Sequence, residues 1–224
     1  MDSLSNPPWE ALTPATHLAF QCATQFPAME QFYLAGGTGL ALHLGHRFSV
    51  NLDFFSEMAG SVGADQRASL REIFDDPTLT ITYDQDATFV ATWKEVGISF
   101  FRLPLYPLVQ APLLVEGIRL ATIPEIGAMK LAAMMDRGTR KDLVDMYFIL
   151  QNVPLETVFE VAAVKYAKIR SFPVSATRAL AYFADAEIFP MPQMLVPTPW
   201  SKMKKFLEQQ ALEVGKKRLG DLWQ

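Results

Sequence analysis

The stretch from Tyr33 to Glu57, YLAGGTGLALHLGHRFSVNLDFFSE, places the strictest demand on how this chain folds. A β-type run, Phe32-Tyr33-Leu34-Ala35, stops at Gly36-Gly37. Thr38 is suited to N-cap a short helix from Gly39 to Leu44, which Gly45 closes. Arg47 then precedes Asn51-Leu52-Asp53-Phe54-Phe55, which alternates polar and apolar as a strand against a core does. Each part has a chemical use. Glycines let a backbone approach a phosphate closely, and free amides at a helix N-terminus favour an anion. Polar groups at alternate strand positions, here Asn51 and Asp53, share a face and can share a divalent metal.

The rest of the chain organises around this segment. An irregular arm carries Pro7, Pro8 and Pro14, and a helix is expected from Ala15 to Gln25, with another over 64–75. Thr78 to Tyr83, Thr88 to Trp93 and Val96 to Leu103 alternate and are separated by short polar breaks, as antiparallel hairpins require. Ile118 to Thr122 is one more short strand. From Pro124 the pattern turns helical, over 124–135, 140–151, 154–168 and 175–187, punctuated by Pro154, Pro173 and the PMPQMLVPTP stretch. A last helix runs from Trp200 to Trp223 and carries Lys202, Lys204, Lys205, Lys216, Lys217 and Arg218. The expectation is an α+β chain: a mixed sheet with flanking helices over residues 1–120, then a helical half over 121–224.

Composition excludes several classes. Half of the 224 residues are hydrophobic, which is ample for a core and rules out intrinsic disorder. The lone Cys22 rules out a disulfide framework and a Cys-built zinc site. No apolar run reaches the roughly 18 residues of a membrane span, and the polar, Pro-rich start is not a signal peptide. A reduced, cytoplasmic protein is expected. With 20 basic against 24 acidic residues the formal net charge is −4, so any nucleic-acid contact must use a local basic patch.

Two motif blocks carry a family resemblance. The first, LAGGTGLALHLGHRFSVNLDFF, is similar to the pattern L-x-GGT-x-L-A-L…GHR-x-S-x-D-L-D-F-F of the AbiEii-type nucleotidyltransferases. These are toxin components of type IV toxin–antitoxin and abortive-infection systems, within the DNA-polymerase-β-like superfamily. The second, IGAMKLAAMMDRGTRKDLVDMYFIL from Ile126 to Leu150, resembles the family's A-M-K-L-x-A…R…[RK]-D-x-x-D-L-Y helices. The blocks stand in the family's order and together cover roughly residues 30–150.

The resemblance implies a nucleotidyltransferase-like sheet and transfer of a nucleotidyl group from an NTP, with Mg²⁺ or Mn²⁺, to tRNA, another RNA or a protein. It also implies a cognate antitoxin. Gly36, Gly37 and Thr38 would cradle the triphosphate, with Arg47 neutralising charge. Asp53, with Asn51, would hold the metal. Lys130 would reach the phosphates, and Asp142 would be the acidic residue of the later helix, supported by Asp145. The chain departs from the pattern at Asn51, where the first acid of D-x-D is expected, and at Ser99, on the strand expected to supply a third acid. Those departures open a second reading: a catalytically degenerate member that binds nucleotide or a partner.

Plainer readings stand beside these. Gly36-Gly37-Thr38 can be an ordinary strand-to-helix turn; a dinucleotide fingerprint fails at Leu42, and no Walker-type loop follows Gly45. Asp53 can pair with Arg47. Lys130 can snorkel from an amphipathic helix, and Asp142 can offset the helix dipole after Thr139 as cap. His43 and His46 have a metal-like spacing but no third ligand nearby. Cys22 reads as a small buried apolar residue, and the basic C-terminal helix as a solvated face or a contact surface for RNA or an acidic partner.

Overall fold

The computed structural model describes residues 2–221, with side chains as far as Lys217. Trp223 and the Arg218 side chain, both counted in the basic C-terminal helix, lie outside the described residues. The chain divides into two compact units, Met1–Thr122 and Ile123–Gln224.

The first unit is built on a seven-stranded mixed sheet. Its strands are β1 (Tyr33–Leu34), β2 (Asn51–Ser56), β3 (Thr80–Gln85), β4 (Thr88–Trp93), β5 (Val96–Arg102), β6 (Leu113–Val115) and β7 (Ile118–Leu120). The order is β3-β4-β5-β2-β1-β7-β6. The β2–β5 and β1–β7 pairs are parallel, and the others are antiparallel. β2 therefore lies in the interior of the sheet, between β1 and β5. Its Leu52 and Phe54 are fully buried, and Phe54 stacks on Phe100 of β5 at 4.6 Å. Helices α1 (Pro14–Ala23) and α3 (Ala64–Ile73) supply Phe20, Ala23 and Leu70 to the same core. The opposite face of β2 carries Asn51, Asp53 and Phe55, because strand side chains alternate. The unit's third helix, α2, runs from Gly36 to Leu44.

The two sheet edges differ. The outer edge of β6 is hydrogen-bonded to the N-terminal arm, Leu4 N to Leu114 O and Leu114 N to Asp2 O, both at 2.9 Å. Strand β3 is exposed along its whole length. It also begins and ends two residues later than its alternation suggested. The Asp76 carboxylate accepts from both the amide and the hydroxyl of Thr78, drawing that residue into a turn. The strand instead runs on through Asp84 and Gln85, which pair with Phe89 and Thr88, and the hairpin turns at Ala87 with φ +69°. The next hairpin turns on Lys94 and Glu95, both with positive φ, the backbone of a tight two-residue connection.

The second unit holds α4 (Ile123–Asp136), α5 (Arg140–Leu150), α6 (Leu155–Lys165), α7 (Phe172–Leu180), α8 (Ala184–Glu187) and α9 (Trp200–Asp221). The single helix expected over 175–187 is corrected to α7 and α8. Pro173 does not separate helices but sits in the first turn of α7, where its missing N–H has no helical acceptor to lose. α9 buries Met203, Leu207, Ala211 and Val214, a stripe at helical spacing. Among the described residues no helix is long and apolar enough to cross a membrane.

α4 and α6 share a buried ion pair that the sequence did not announce. Lys165 Nζ lies 2.7 Å from Glu125 Oε1, and both side chains are almost wholly inaccessible. Removing one partner strands the other charge away from water. Lys165→Met is expected to destabilise the chain by about 3–5 kcal/mol, and Glu125→Leu in the same molecule to restore most of it. Urea unfolding of the single and double variants measures this; equal losses in both would refute it.

Candidate functional site

The N-terminus of α2 carries no side-chain cap. Ala35 occupies the N-cap position, and the first helical bond runs from Gly39 N to Ala35 O at 3.0 Å. Among the described residues the amides of Gly36, Gly37 and Thr38 donate to no acceptor. They leave a partial positive charge at the head of the helix. The expectation that Thr38 caps the helix is corrected: the helix starts two residues earlier, so Thr38 lies inside its first turn. Its hydroxyl is buried and hydrogen-bonded to Ser49 Oγ at 2.7 Å and to the Asn51 carbonyl.

The two glycines have separate reasons. Gly36 has φ +64°, and an added Cβ would lie 2.8 Å from Asp53 Oδ2. An added Cβ at Gly37 would strike the Arg47 guanidinium. Any larger residue at either position would collide with a charged group. Arg47 is itself buried, and its Nη1 donates to the Phe48 carbonyl at 2.9 Å. The structure thus gathers Gly36, Gly37, Arg47 and Asp53 at one helix end.

Asn51 is turned differently. Its Oδ1 rests over Gly97 of β5, 2.9 Å from where a Cβ would stand, whereas Asp53, on the same face, lies against Gly36 at the head of α2. The two side chains expected to share a metal lean toward different neighbours. Ser99 pairs directly with Asp53 across β2 and β5, so it occupies the position where a further acid was sought. Among the described residues no three His, Cys, Asp or Glu side chains are grouped to hold a metal ion. One carboxylate beside one hydroxyl fits a divalent ion that draws most of its ligands from a bound triphosphate and water. It does not fit an ion held by the chain alone.

The histidine pair resolves plainly. Gly45 ends α2 between them in the left-handed conformation, and His43 Nε2 lies 2.8 Å from the Ala121 carbonyl. Burial holds His43 below its ordinary value, against the opposing pull of that carbonyl. Cys22 is half-buried, packs at the margin of the core, and burial pushes its thiol up.

The second unit contains the other expected residues. Lys130 is buried on α4 and does not snorkel. Its Nζ lies 3.0 Å from Asp142 Oδ1 and 2.6 Å from Asp145 Oδ2, both on α5. Asp145 is the nearer acid, a role that its spacing from Asp142 did not reveal. Thr139 is the N-cap residue of α5, yet its side chain does not cap. The hydroxyl donates instead to Asp142 Oδ2 at 2.7 Å, which Arg137 Nε approaches at 3.3 Å. Burial pushes the Asp142 carboxyl up. Lys130, the Thr139 hydroxyl and Arg137 together outweigh it and hold the group below its ordinary 3.8. On the basic C-terminal helix Lys204 pairs with Glu187 at 2.8 Å and Lys217 pairs with Glu156, while Lys202, Lys205 and Lys216 face solvent.

Comparison with known proteins agrees with both motif blocks. A family model described as nucleotidyl transferase AbiEii toxin, type IV toxin–antitoxin system, matches residues 18–214. An uncharacterized protein of Aquifex aeolicus (strain VF5), aq_aa25, is 30% identical over 188 residues, 81% of this chain and 87% of that one. Among solved structures, the nucleotidyltransferase toxin MenT4 of Mycobacterium tuberculosis superposes with a TM-score of 0.57 at 16% identity, over 88% of this chain and 82% of its own. JHP933 of Helicobacter pylori superposes with a TM-score of 0.52 at 17% identity, over 95% and 100%. At those identities the structural likeness establishes the fold.

The depressed Asp142 pKa sets an acid limit. The unfolded chain takes up this proton first as pH falls. The group's stabilisation is therefore complete above its unfolded value and is lost as pH drops through the folded one. Thr139→Ala removes one hydrogen bond to the carboxylate. It is expected to cost about 1–2 kcal/mol near neutrality and to move acid unfolding to higher pH. Urea unfolding at neutral pH and ellipticity followed down the pH scale test both; an acid transition at unchanged pH would refute the assignment.

Proposed function

The chain belongs to the AbiEii nucleotidyltransferase toxin family, and from that premise we propose that it transfers a nucleotidyl group from a nucleoside triphosphate to a hydroxyl of an RNA, such as tRNA, or of a protein. The observation that carries this is the head of α2: three amides without acceptors, the buried Arg47 guanidinium against Gly37, and the Asp53 carboxylate against Gly36. A helix N-terminus and a cation together bind phosphate oxygens. In the reaction the acceptor oxygen bonds to the α-phosphorus while the bond to pyrophosphate breaks, and the acceptor's proton leaves to a base. The amides and Arg47 bind and orient the triphosphate and offset the charge that pyrophosphate carries away. Asp53, with Ser99 beside it, would be the protein's contribution toward Mg²⁺ or Mn²⁺. When bound, that ion supplies charge neutralisation at the phosphates and orientation of the attacking hydroxyl.

Lys130 is the proposed phosphate-binding lysine of the second unit. Asp142 and Asp145 on α5 hold its ammonium at 3.0 and 2.6 Å and fix its direction. The proposed setting is a cytoplasmic toxin–antitoxin or phage-defence pair, with a cognate antitoxin as partner.

A second reading, nucleotide binding without turnover, is favoured by one observation: Asp53 meets a serine in register and an asparagine two residues away, where acids were sought. Purified protein incubated with each labelled NTP, a divalent ion and bulk RNA distinguishes them. Transfer is expected, and Asp53→Asn should lower it by about a hundredfold or more. Triphosphate binding without transfer would favour the second reading, and no binding would refute both.

A further inference from the structure

We propose that Thr38 and Ser49 form a latch that sets the triphosphate-binding amides of α2, and that the Thr38 hydroxyl positions those amides rather than binding a phosphate itself. The inference rests on the nucleotide-binding reading of the α2 head and deepens it.

The geometry is that of two buried hydroxyls behind the site. Thr38 and Ser49 are 1% and 5% exposed, and their oxygens are 2.7 Å apart. The Thr38 oxygen also bonds the carbonyl of Asn51, the first residue of β2. Ser49 is anchored on its other side, its amide donating to the Ala11 carbonyl at 3.0 Å. Its Oγ lies against Gly37, 3.3 Å from where a Cβ would stand. Thr38 thus joins the first turn of α2 to the entrance of β2, two residues before Asp53, and Ser49 supports that joint from below.

A hydroxyl carries one proton and two lone pairs. The bonds to Ser49 and to the Asn51 carbonyl use the proton and leave the Thr38 oxygen no second hydrogen to give a phosphate. What the residue can contribute is distance. Its hydroxyl fixes how close the Gly36, Gly37 and Thr38 amides stand to Asp53, and phosphate binding depends on that spacing. The methyl of threonine is not needed for this; the hydroxyl is.

The test is a double-mutant cycle read by calorimetric titration with a nucleoside triphosphate, with thermal unfolding recorded for each variant. Thr38→Val keeps the shape and removes the hydroxyl, and should weaken binding by about tenfold. Thr38→Ser should hold affinity within about threefold of the wild type. Ser49→Ala, which alters no group placed against a phosphate, should also weaken binding. The double variant should lose less than the product of the two single losses, because the residues act as one joint. In a transfer assay the loss should appear in KM more than in kcat.

Full affinity in Thr38→Val would overturn the proposal. So would Ser49→Ala binding as the wild type does, since Thr38 would then act without its support. Losses that multiply fully would do the same. A wild-type chain that binds triphosphate alongside any of these results leaves the nucleotide reading standing; one that binds none overturns both.

Discussion

Strand β2 is asked to serve two surfaces at once, and its period-two alternation makes that possible. Leu52 and Phe54 face the core, where Phe54 meets Phe100 and the aromatic side chains of the surrounding elements. Asp53, between them in sequence, faces the other way and meets Gly36. A slip of one residue in the pairing of β2 with β5 would bury the carboxylate and expose two large apolar side chains. The aromatic core therefore holds the register on which the site depends. Arg47 and Thr38 are set against the same strand by the turn that precedes it, so the charged groups at the head of α2 inherit their spacing from apolar packing.

The second unit handles charge in another way. Two lysines, Lys130 and Lys165, are buried in helices whose neighbours are apolar, and each is neutralised by acids from a different helix. Lys165 pairs with Glu125, whereas Lys130 lies between two carboxylates, and one of those also takes the Thr139 hydroxyl and Arg137. The first arrangement ties α4 to α6; the second, on residues of the family's second motif block, ties α4 to α5.

Much of this was legible in the sequence where local rules and tertiary packing agree. The strands of the two hairpins, the left-handed Gly45 and the helix beginning beside Pro124 follow from alternation, φ preference and the missing proline N–H. Local rules failed where a side chain found a distant partner. Thr38 has the chemistry of a cap, yet Ser49 and the Asn51 carbonyl claim its hydroxyl. Thr78 belongs by pattern to β3, yet Asp76 draws it into a turn. Asn51 and Asp53 share a face as their spacing requires, but one side chain lies against Gly97 of β5 and the other against Gly36 at the head of α2, which a spacing rule cannot see. The Glu125–Lys165 pair spans helices far apart in the chain, and its only trace in the sequence is a charge within each apolar run.

The covered edge of β6 has a consequence for the order of events during synthesis. Residues 2–4 emerge long before the strand they pair with, which ends at Val115. Their backbone groups must remain solvated until nearly all of the first unit has been made. That pairing is among the longest loop closures in the unit, and loop closure must precede the reward of non-local contacts. The arm is thus suited to be a late addition: it closes a sheet already formed from β1 to β7 and contributes little to the nucleus that forms it. A chain without residues 2–4 would fold to the same sheet but leave both edges open, exchanging a modest loss of stability for a greater tendency to associate.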